Sequence, residues 1–254
     1  EITLLFNRKV FPLKIELNDR IFLIGSCFSQ SIGEILKANK FGALINPFGT
    51  LYNPISIFQA LSKTVQRVVP QLYEFTQHSD IHYWWHAHSE ISALSPSDLQ
   101  KKTKQVLHDS KRILRSSKWL IITPGTAWIY QLNDTNEIVG NCHKQPGNLF
   151  SKRLLSIREI VDAFAQLNNE LLSVNSDLQV IWTISPVRHV KDGLNENNIS
   201  KGVLHMAISE IVKAHENCHY FPSYEIMIDV LRDYRFYELD RVHPNAEGIN
   251  YIWN

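Results

Sequence analysis

The feature of this sequence that most constrains its fold is the alternation of short apolar runs with longer amphipathic segments along nearly the whole chain. The apolar runs have the length and bulk of strands that are buried on both faces of a sheet. The segments between them begin with helix-start signals, such as Asn53-Pro54 and the capping box at Ser156. Strands joined by helices run parallel through right-handed crossovers, so the pattern predicts an α/β fold with a parallel sheet. We expect about five strands, at residues 21–25, 43–46, 119–123, 180–184 and 219–221.

The length and composition predict a single domain over residues 1–254. The chain has 254 residues, of which 44% are hydrophobic, and it contains no internal repeat or long linker. One segment, residues 71–93, departs from the alternation because it is rich in aromatic residues and histidine. We expect this segment to be an ordered excursion over one end of the sheet.

Charge and cysteine content exclude several classes of protein. The chain carries 26 basic and 25 acidic residues with no basic stripe, so no nucleic-acid partner is predicted. No apolar run approaches the ~20 residues of a membrane span. The three cysteines are widely spaced, which fits neither a disulfide framework nor a zinc site. We therefore predict no metal and no cofactor, and a reducing, cytoplasmic location. Because the chain begins at Glu1, the sequence leaves open a leader that has been removed.

Functional groups of a parallel sheet gather in the loops that follow the carboxyl ends of its strands. In this sequence those loops are residues 25–27, 46–49, 124–127 and 185–189, together with residues 240–244 before the last helix. Asp240 and His243 are three residues apart, a spacing that lets a carboxylate orient an imidazole toward a nucleophile. An alternative is a helix-capping aspartate beside a surface histidine.

Several segments, taken together, resemble the GSCFA family. They are LIGSCFSQSIG at residues 23–33, INPFGTLYNP at 45–54, NCHKQP at 141–146, SPVRH at 185–189 and the closing DRVHP at 240–244. The resemblance extends from about residue 11 to the C-terminus. GSCFA proteins in turn are similar to the SGNH/GDSL hydrolases. The resemblance implies a flavodoxin-like, three-layer α/β/α sandwich and acyl-ester chemistry, without a particular substrate.

The same resemblance aligns Cys27 with the nucleophile of the Gly-Asp-Ser block and Ser26 with its aspartate. It also aligns Asp240 and His243 with the Asp-x-x-His block. A thiol is a workable nucleophile because its thiolate is reactive and a helix N-terminus or a histidinium lowers its pKa. Two alternatives are that Cys27 is a small buried hydrophobe and that Ser26 is the nucleophile. We expect Ser26 to be the helix cap.

The oxyanion hole departs from the SGNH pattern, in which a Gly-x-Asn follows the third strand. Here the matching residues are Gly125 and Thr126, followed by alanine in place of asparagine. Donors could instead be the backbone amides of Cys27 and Gly49 or the side chains of Asn46 and Asn141. This departure also keeps a degenerate, non-catalytic domain open.

Other polar residues are candidates for the rim of the site. His86 and His88 have the spacing of two neighbours on one face of a strand. They could be metal ligands, but we interpret them as histidines that line the pocket or pack in the core. His143, Arg188 and His189 stand at loop tips where they either bind an anionic group or are solvated. Three tryptophans fit a sugar platform or core packing: Trp84, Trp85 and Trp128.

The sequence therefore predicts an SGNH-like ester hydrolase or O-acyltransferase with a Cys-His-Asp site. Its substrate would be a small-molecule or carbohydrate acyl ester. The alternative is a glycan-binding or partner-binding domain that keeps the fold without the chemistry. The oligomeric state is not indicated by any pattern in the sequence.

Overall fold

A computed structural model describes residues 14–66 and 68–254 of the chain. The strands are β1 (Arg20–Gly25), β2 (Gly42–Ile45), β3 (Phe75–His78), β4 (Ile81–Trp84), β5 (Ser92–Ala93), β6 (Trp119–Thr123), β7 (Trp128–Leu132), β8 (Ile138–Val139), β9 (Phe150–Leu154), β10 (Gln179–Trp182) and β11 (Cys218–Tyr220). The helices are α1 (Cys27–Ala38), α2 (Pro54–Gln66), α3 (Pro96–Leu114), α4 (Ile157–Val174), α5 (Leu194–Ala214), α6 (Ser223–Glu225) and α7 (Ala246–Trp253). A π-helical stretch, Ile226–Leu231, continues α6.

Five strands form one parallel sheet in the order β11-β10-β6-β1-β2, which confirms the predicted α/β fold. The bounds of β6 are those predicted, and the bounds of the other four strands differ from the predicted ones by at most two residues. Strand β1 lies beside β6 in a register that pairs Gly25 with Thr123. The carboxyl ends of these two central strands therefore meet at the same edge of the sheet.

Helices cover both faces of this sheet and make three layers. The Phe22 and Ile24 side chains of β1 face a large core that includes Phe58 of α2 and Phe164 of α4. The alternate residues of β1, Ile21 and Leu23, face a second core with Leu36 of α1. This alternation arises because successive side chains of a strand point to opposite faces.

Two small antiparallel sheets flank the carboxyl end of the parallel sheet. In one of them, β7 pairs with β8 and with β9, none of which is among the five strands predicted from the sequence. The excursion over residues 71–93 contains β3, β4 and β5. Its His88 amide donates to the Phe48 carbonyl at 2.8 Å, in the loop after β2. The excursion is thus ordered, as expected, and it lies at the carboxyl end of the parallel sheet.

The tryptophans have two different surroundings. Trp84 and Trp85 are buried, so their packing is that of core residues and not of a sugar platform. Trp128 is half-buried at the start of β7.

Within residues 14–66 and 68–254, no helix is both long and apolar enough to cross a membrane.

Candidate active site

The turn between β1 and α1 requires glycine at its first position. Gly25 has φ +149°, and a Cβ atom there would stand 2.3 Å from the Thr123 carbonyl oxygen. The Gly25 amide donates to Asn46 Oδ1 at 2.9 Å, and the Ser26 amide donates to the Thr123 oxygen at 2.9 Å. This close approach of β1 to β6 fixes where α1 begins and therefore where Cys27, its first residue, is presented.

Ser26 and Cys27 have different environments although they are adjacent. Ser26 occupies the N-cap position of α1, as expected, but its hydroxyl makes no capping bond. That hydroxyl is buried and has no hydrogen-bond partner in the part of the chain that the structure describes. Cys27 is half-buried and lines a cavity from which Ser26 is absent. Of the two side chains, Cys27 is the one that a molecule in the cavity can reach.

The last loop presents Asp240 and His243 as an oriented pair. Asp240 Oδ2 lies 2.7 Å from His243 Nδ1, while Asp240 Oδ1 accepts from the amides of Val242 and His243 at 2.8 and 3.0 Å. These two amide bonds and the imidazole contact lower the pKa of Asp240 to about 2. The carboxylate is therefore ionised at neutral pH, and with Nδ1 engaged, Nε2 is free for another partner.

Cys27 and His243 line the same cavity, of about 480 Å³. Its aromatic wall consists of Tyr52, Trp128 and Tyr130. Of the candidates predicted from sequence, the cavity also contains Thr126, Asn141, Arg188 and His189. The structure thus brings residues from four of the predicted loops and from the 141–146 segment to one place.

Two predicted oxyanion donors are engaged elsewhere. The Gly49 amide donates to the Asn46 carbonyl at 2.8 Å. The Asn46 side chain accepts from the Gly25 amide and donates to the Ser26 carbonyl, so it supports the turn beneath Cys27. The Gly125 amide is also occupied, since it donates to the Tyr52 carbonyl at 2.7 Å. We therefore withdraw Gly49, Asn46 and Gly125 as donors.

Two of the predicted rim residues, His143 and Arg188, are held in place by contacts with neighbouring side chains. His143 is buried, contacts Ser89 Oγ and the Trp84 carbonyl at 3.0 and 2.9 Å, and stacks on Tyr83. Burial lowers the pKa of His143 to about 4. Arg188 lies over the Tyr237 ring at 4.7 Å, which holds it against the last loop although it lines the cavity.

His86 and His88 do not line this cavity, contrary to the expectation for the excursion. His86 is buried with its Nε2 3.2 Å from Glu74 Oε1 and 3.0 Å from Glu137 Oε1. These three residues could hold a metal ion, but the Lys63 ammonium already contacts Glu74 Oε1 and neutralises one of the two carboxylates. His88 Nδ1 lies 3.5 Å from Glu90, on the Gly49 side of the excursion.

His189 lines the cavity. One of its ring nitrogens, Nε2, is buried and has no hydrogen-bond partner among the residues that the structure describes. Burial lowers the pKa of His189 to about 4, which keeps the ring neutral at neutral pH. The ring packs edge-on against Tyr52, and a Cβ atom on Gly125 would stand 2.6 Å from Nε2. His189 thus occupies the space beside Gly125.

Lys201 is a feature of the site that sequence reasoning missed. It lies on α5 with only 2% of its surface exposed. Its Nζ donates to the Gly125 and Ser185 carbonyls, each at 2.7 Å. These carbonyls belong to the loops after β6 and β10. The segment around Lys201 has an ordinary helical pattern, so no local signal distinguishes it from a solvated lysine.

The three cysteines are expected to differ in their rate of alkylation. Burial raises the pKa of Cys142 to about 11 and that of Cys218 to about 12. Burial also raises the pKa of Cys27, but the amides of Phe28 and Cys27 and the Lys201 charge oppose the increase. We expect iodoacetamide to modify Cys27 first, as followed by peptide mass spectrometry. Modification of Cys142 or Cys218 at an equal or higher rate would show that Cys27 is an inert buried thiol.

The fold and site define a parallel α/β protein with a thiol, an imidazole and a carboxylate at the carboxyl end of its sheet. The chain belongs to the GSCFA family, whose model matches residues 20–254. A search of curated proteins finds no match. One solved structure with similarity is described as an acetyl xylan esterase (Est2A) from the rumen bacterium Butyrivibrio proteoclasticus, at 12% identity and a TM-score of 0.32. The match covers 83% of this chain and 57% of that chain.

Proposed function

We propose that this protein is an acyl-transfer enzyme, an ester hydrolase or an O-acyltransferase, with Cys27 as its nucleophile. The observation that carries the proposal is the shared cavity of Cys27 and His243, with His243 Nδ1 held by Asp240. A nucleophile, a base and an orienting carboxylate are the parts that nucleophilic acyl transfer requires. Cys27 would become acylated and then pass its acyl group on.

In the first step, Cys27 Sγ bonds to the acyl carbonyl carbon while its proton passes to His243 Nε2. Burial raises the pKa of Cys27, so the resting group is the thiol and needs this base. The carbon–oxygen bond of the ester then breaks, and the imidazolium returns the proton to the leaving oxygen. Water or an acceptor hydroxyl attacks the resulting thioester, and His243 accepts the attacking group's proton before restoring it to sulfur.

The negative charge on the carbonyl oxygen needs donors in the cavity. The Cys27 amide is at the first position of α1, where no carbonyl of the helix is available to it. The unpartnered Nε2 of neutral His189, carrying its ring proton, is suited to be the second donor, in place of the absent asparagine. The Asn141 side chain also lines the cavity.

We expect His189→Ala to lower kcat of the acyl-transfer reaction by about 100-fold, because one oxyanion donor is lost. Gly125→Ala should produce a similar decrease, since the new methyl group would displace the His189 ring. His108→Ala is the control, because His108 is exposed on α3. Steady-state kinetics with a soluble ester measure these effects. A His189→Ala enzyme with unchanged kcat would remove His189 from the oxyanion hole.

The walls of the cavity indicate the kind of substrate. Tyr52, Trp128 and Tyr130 provide flat apolar surfaces, and the Lys152 ammonium lies 5.0 Å from the Trp128 ring centre. Aromatic faces beside polar groups suit the mixed apolar and hydroxyl surfaces of an acylated carbohydrate. We therefore include carbohydrate esters and sugar acceptors among the substrates to be tested.

The test is turnover of p-nitrophenyl acetate, acetylated sugars, and acyl-CoA with sugar acceptors. Turnover that is absent in folded Cys27→Ala supports the proposal, and the substrate that works best separates hydrolysis from transfer. Turnover that is equal in wild type and Cys27→Ala contradicts it. Absence of turnover with every donor, together with saturable glycan binding, would instead favour the non-catalytic binding domain, a class consistent with the alanine at the Gly-x-Asn position.

A further inference from the structure

Lys201 is a buried cation whose hydrogen-bond partners are neutral. Its two partners are the Gly125 and Ser185 carbonyl oxygens, and its Nζ lies 5.6 Å from the Tyr224 ring centre. Among residues 14–66 and 68–254, no carboxylate forms an ion pair with it. The ammonium therefore stabilises the junction of two loops without a counter-charge.

Stability alone does not account for this arrangement. Moving an ammonium group out of water costs several kcal/mol, and two carbonyl bonds repay only part of that cost. Burial accordingly lowers the pKa of Lys201 to about 7. An apolar side chain of similar length would avoid the cost of burying the ammonium, although it would leave the two carbonyl oxygens without their donor. A residue that is costly to bury and adjacent to a reactive group is a candidate for function.

The positive charge of Lys201 affects the pKa of the Cys27 thiol. Lys201 opposes the rise that burial causes in the pKa of the Cys27 thiol, and Cys27 in turn raises the pKa of Lys201. The loops that Lys201 ties together follow β6 and β10, and Gly125 of the first loop contacts His189 in the cavity. Lys201 thus ties together two loops that contribute residues to the cavity, and its charge has the sign that favours a thiolate at Cys27.

We propose that Lys201 is a positioning residue, which holds the loops after β6 and β10 in place and stabilises negative charge on the Cys27 sulfur. This inference rests on the proposed function, in which Cys27 becomes the nucleophile. It assigns the electrostatic support of the thiolate to a lysine beneath the site, in addition to the His243 base in the cavity.

Other ionisable groups near Lys201 and Cys27 define the pH range of a test. His189 and His205 both lie within range of the Lys201 charge, and burial lowers the pKa of each, that of His189 to about 4. Asp240 also acts on Cys27 through its charge and is ionised throughout this range. The titration of Lys201 and that of Cys27 are therefore the ones that the test follows.

The test is the rate of Cys27 alkylation by iodoacetamide as a function of pH in wild type, Lys201→Met and Lys201→Gln. Both variants remove the charge, while Lys201→Gln keeps an N–H donor for the loops. At about pH 6, where Lys201 is protonated, each variant should react about tenfold more slowly than wild type, a change of one unit in the Cys27 pKa. The difference should narrow above about pH 7 as wild-type Lys201 loses its proton. Lys213→Met, an exposed change on the same helix, is the control.

Equal alkylation rates in folded wild type and Lys201→Met would overturn the proposal. A rate that is lowered in Lys201→Met but restored in Lys201→Gln would overturn its charge component, because the loops alone would then explain the effect. These readouts do not depend on turnover. A failure of the proposed function, in which Cys27→Ala keeps its turnover, is therefore distinct from a failure of this inference.

A measurement without any change at Lys201 keeps the proposal testable if neither variant folds. In His243→Ala, the alkylation rate of Cys27 should rise with pH, flatten above about pH 7 and rise again at higher pH. The flat region arises because proton loss from Lys201 removes the support for the thiolate as fast as the pH favours it. A single smooth titration in this variant would contradict the coupling.

Discussion

Replacing Cys27 or His243 by alanine is expected to lower kcat for acyl transfer by about 10⁴-fold or more, since each removes a group on which the covalent step depends. Asp240→Ala should cost less, because the imidazole remains but loses the carboxylate 2.7 Å from its Nδ1. The double variant Cys27→Ala with His243→Ala should be no worse than Cys27→Ala alone, because the two residues act as a unit. Steady-state turnover of p-nitrophenyl acetate by folded variants measures all three effects.

Cys142→Ala is the matched control for this series. Cys142 lines the same cavity as Cys27, but no base with an orienting carboxylate is assigned to it. Its replacement should leave kcat within about twofold of wild type. A large loss in Cys142→Ala with full activity in Cys27→Ala would move the nucleophile to the other thiol of the cavity.

Gly25→Ala is expected to lower the free energy of unfolding by about 4 kcal/mol or more, an exceptional value for one methyl group. The new Cβ would stand 2.3 Å from the Thr123 carbonyl oxygen and 2.7 Å from its carbon. Neither atom can withdraw easily, because Gly25 and Thr123 are partners in the register of β1 with β6. The φ of +149° adds strain for any residue with a side chain. Urea unfolding followed by circular dichroism measures the loss.

Gly202→Ala provides the opposite control. Gly202 is exposed within α5, and a Cβ atom there would meet nothing within 4 Å. Because alanine is the better helix former, this change should stabilise the protein by up to about 1 kcal/mol. If Gly25→Ala were as stable as wild type, the close approach of β1 to β6 would be wrong.

The sequence predicted the parallel sheet because its signal is local and repeated. Runs such as that of β6 contain only apolar residues before a terminal threonine, and capped helices separate the runs. The small sheets of the flanking segments have no such signal. Strand β3, Phe75–His78, is short and mostly polar, so its pairing depends on contacts with the rest of the excursion and not on its own sequence pattern.

The site was predictable where its parts lie in short motifs. The spacing of Asp240 and His243 allowed their contact to be predicted beside the alternative of a capping aspartate, and the turn at Gly25 indicated a helix capped by Ser26. The hydrogen bonds of Lys201 are instead made to residues that are 76 and 16 positions away in the sequence. Its burial arises from the packing of α5 on two strand-end loops, which no local pattern encodes.

The corrections have a common physical cause. Asn46 and Gly49 were predicted as donors because they stand in a strand-end loop, but loop amides also have to satisfy each other when they are buried. Asn46 bonds the turn at Gly25, and the Gly49 amide bonds Asn46. The Nε2 atom of His189, by contrast, has no hydrogen-bond partner within residues 14–66 and 68–254. Whether a polar group is free to bind a substrate depends on how its loop packs, and the residue type alone does not predict it.

The most direct test of the account is mass spectrometry of the protein after rapid mixing with p-nitrophenyl acetate. We expect a mass increase of one acetyl group that maps to Cys27, forms during the burst of p-nitrophenol and is removed by hydroxylamine. The adduct should be absent in Cys27→Ala and slow to form in His243→Ala. Turnover without any adduct at Cys27, or with the acetyl group on Ser26, would contradict the assignment of Cys27 as the nucleophile.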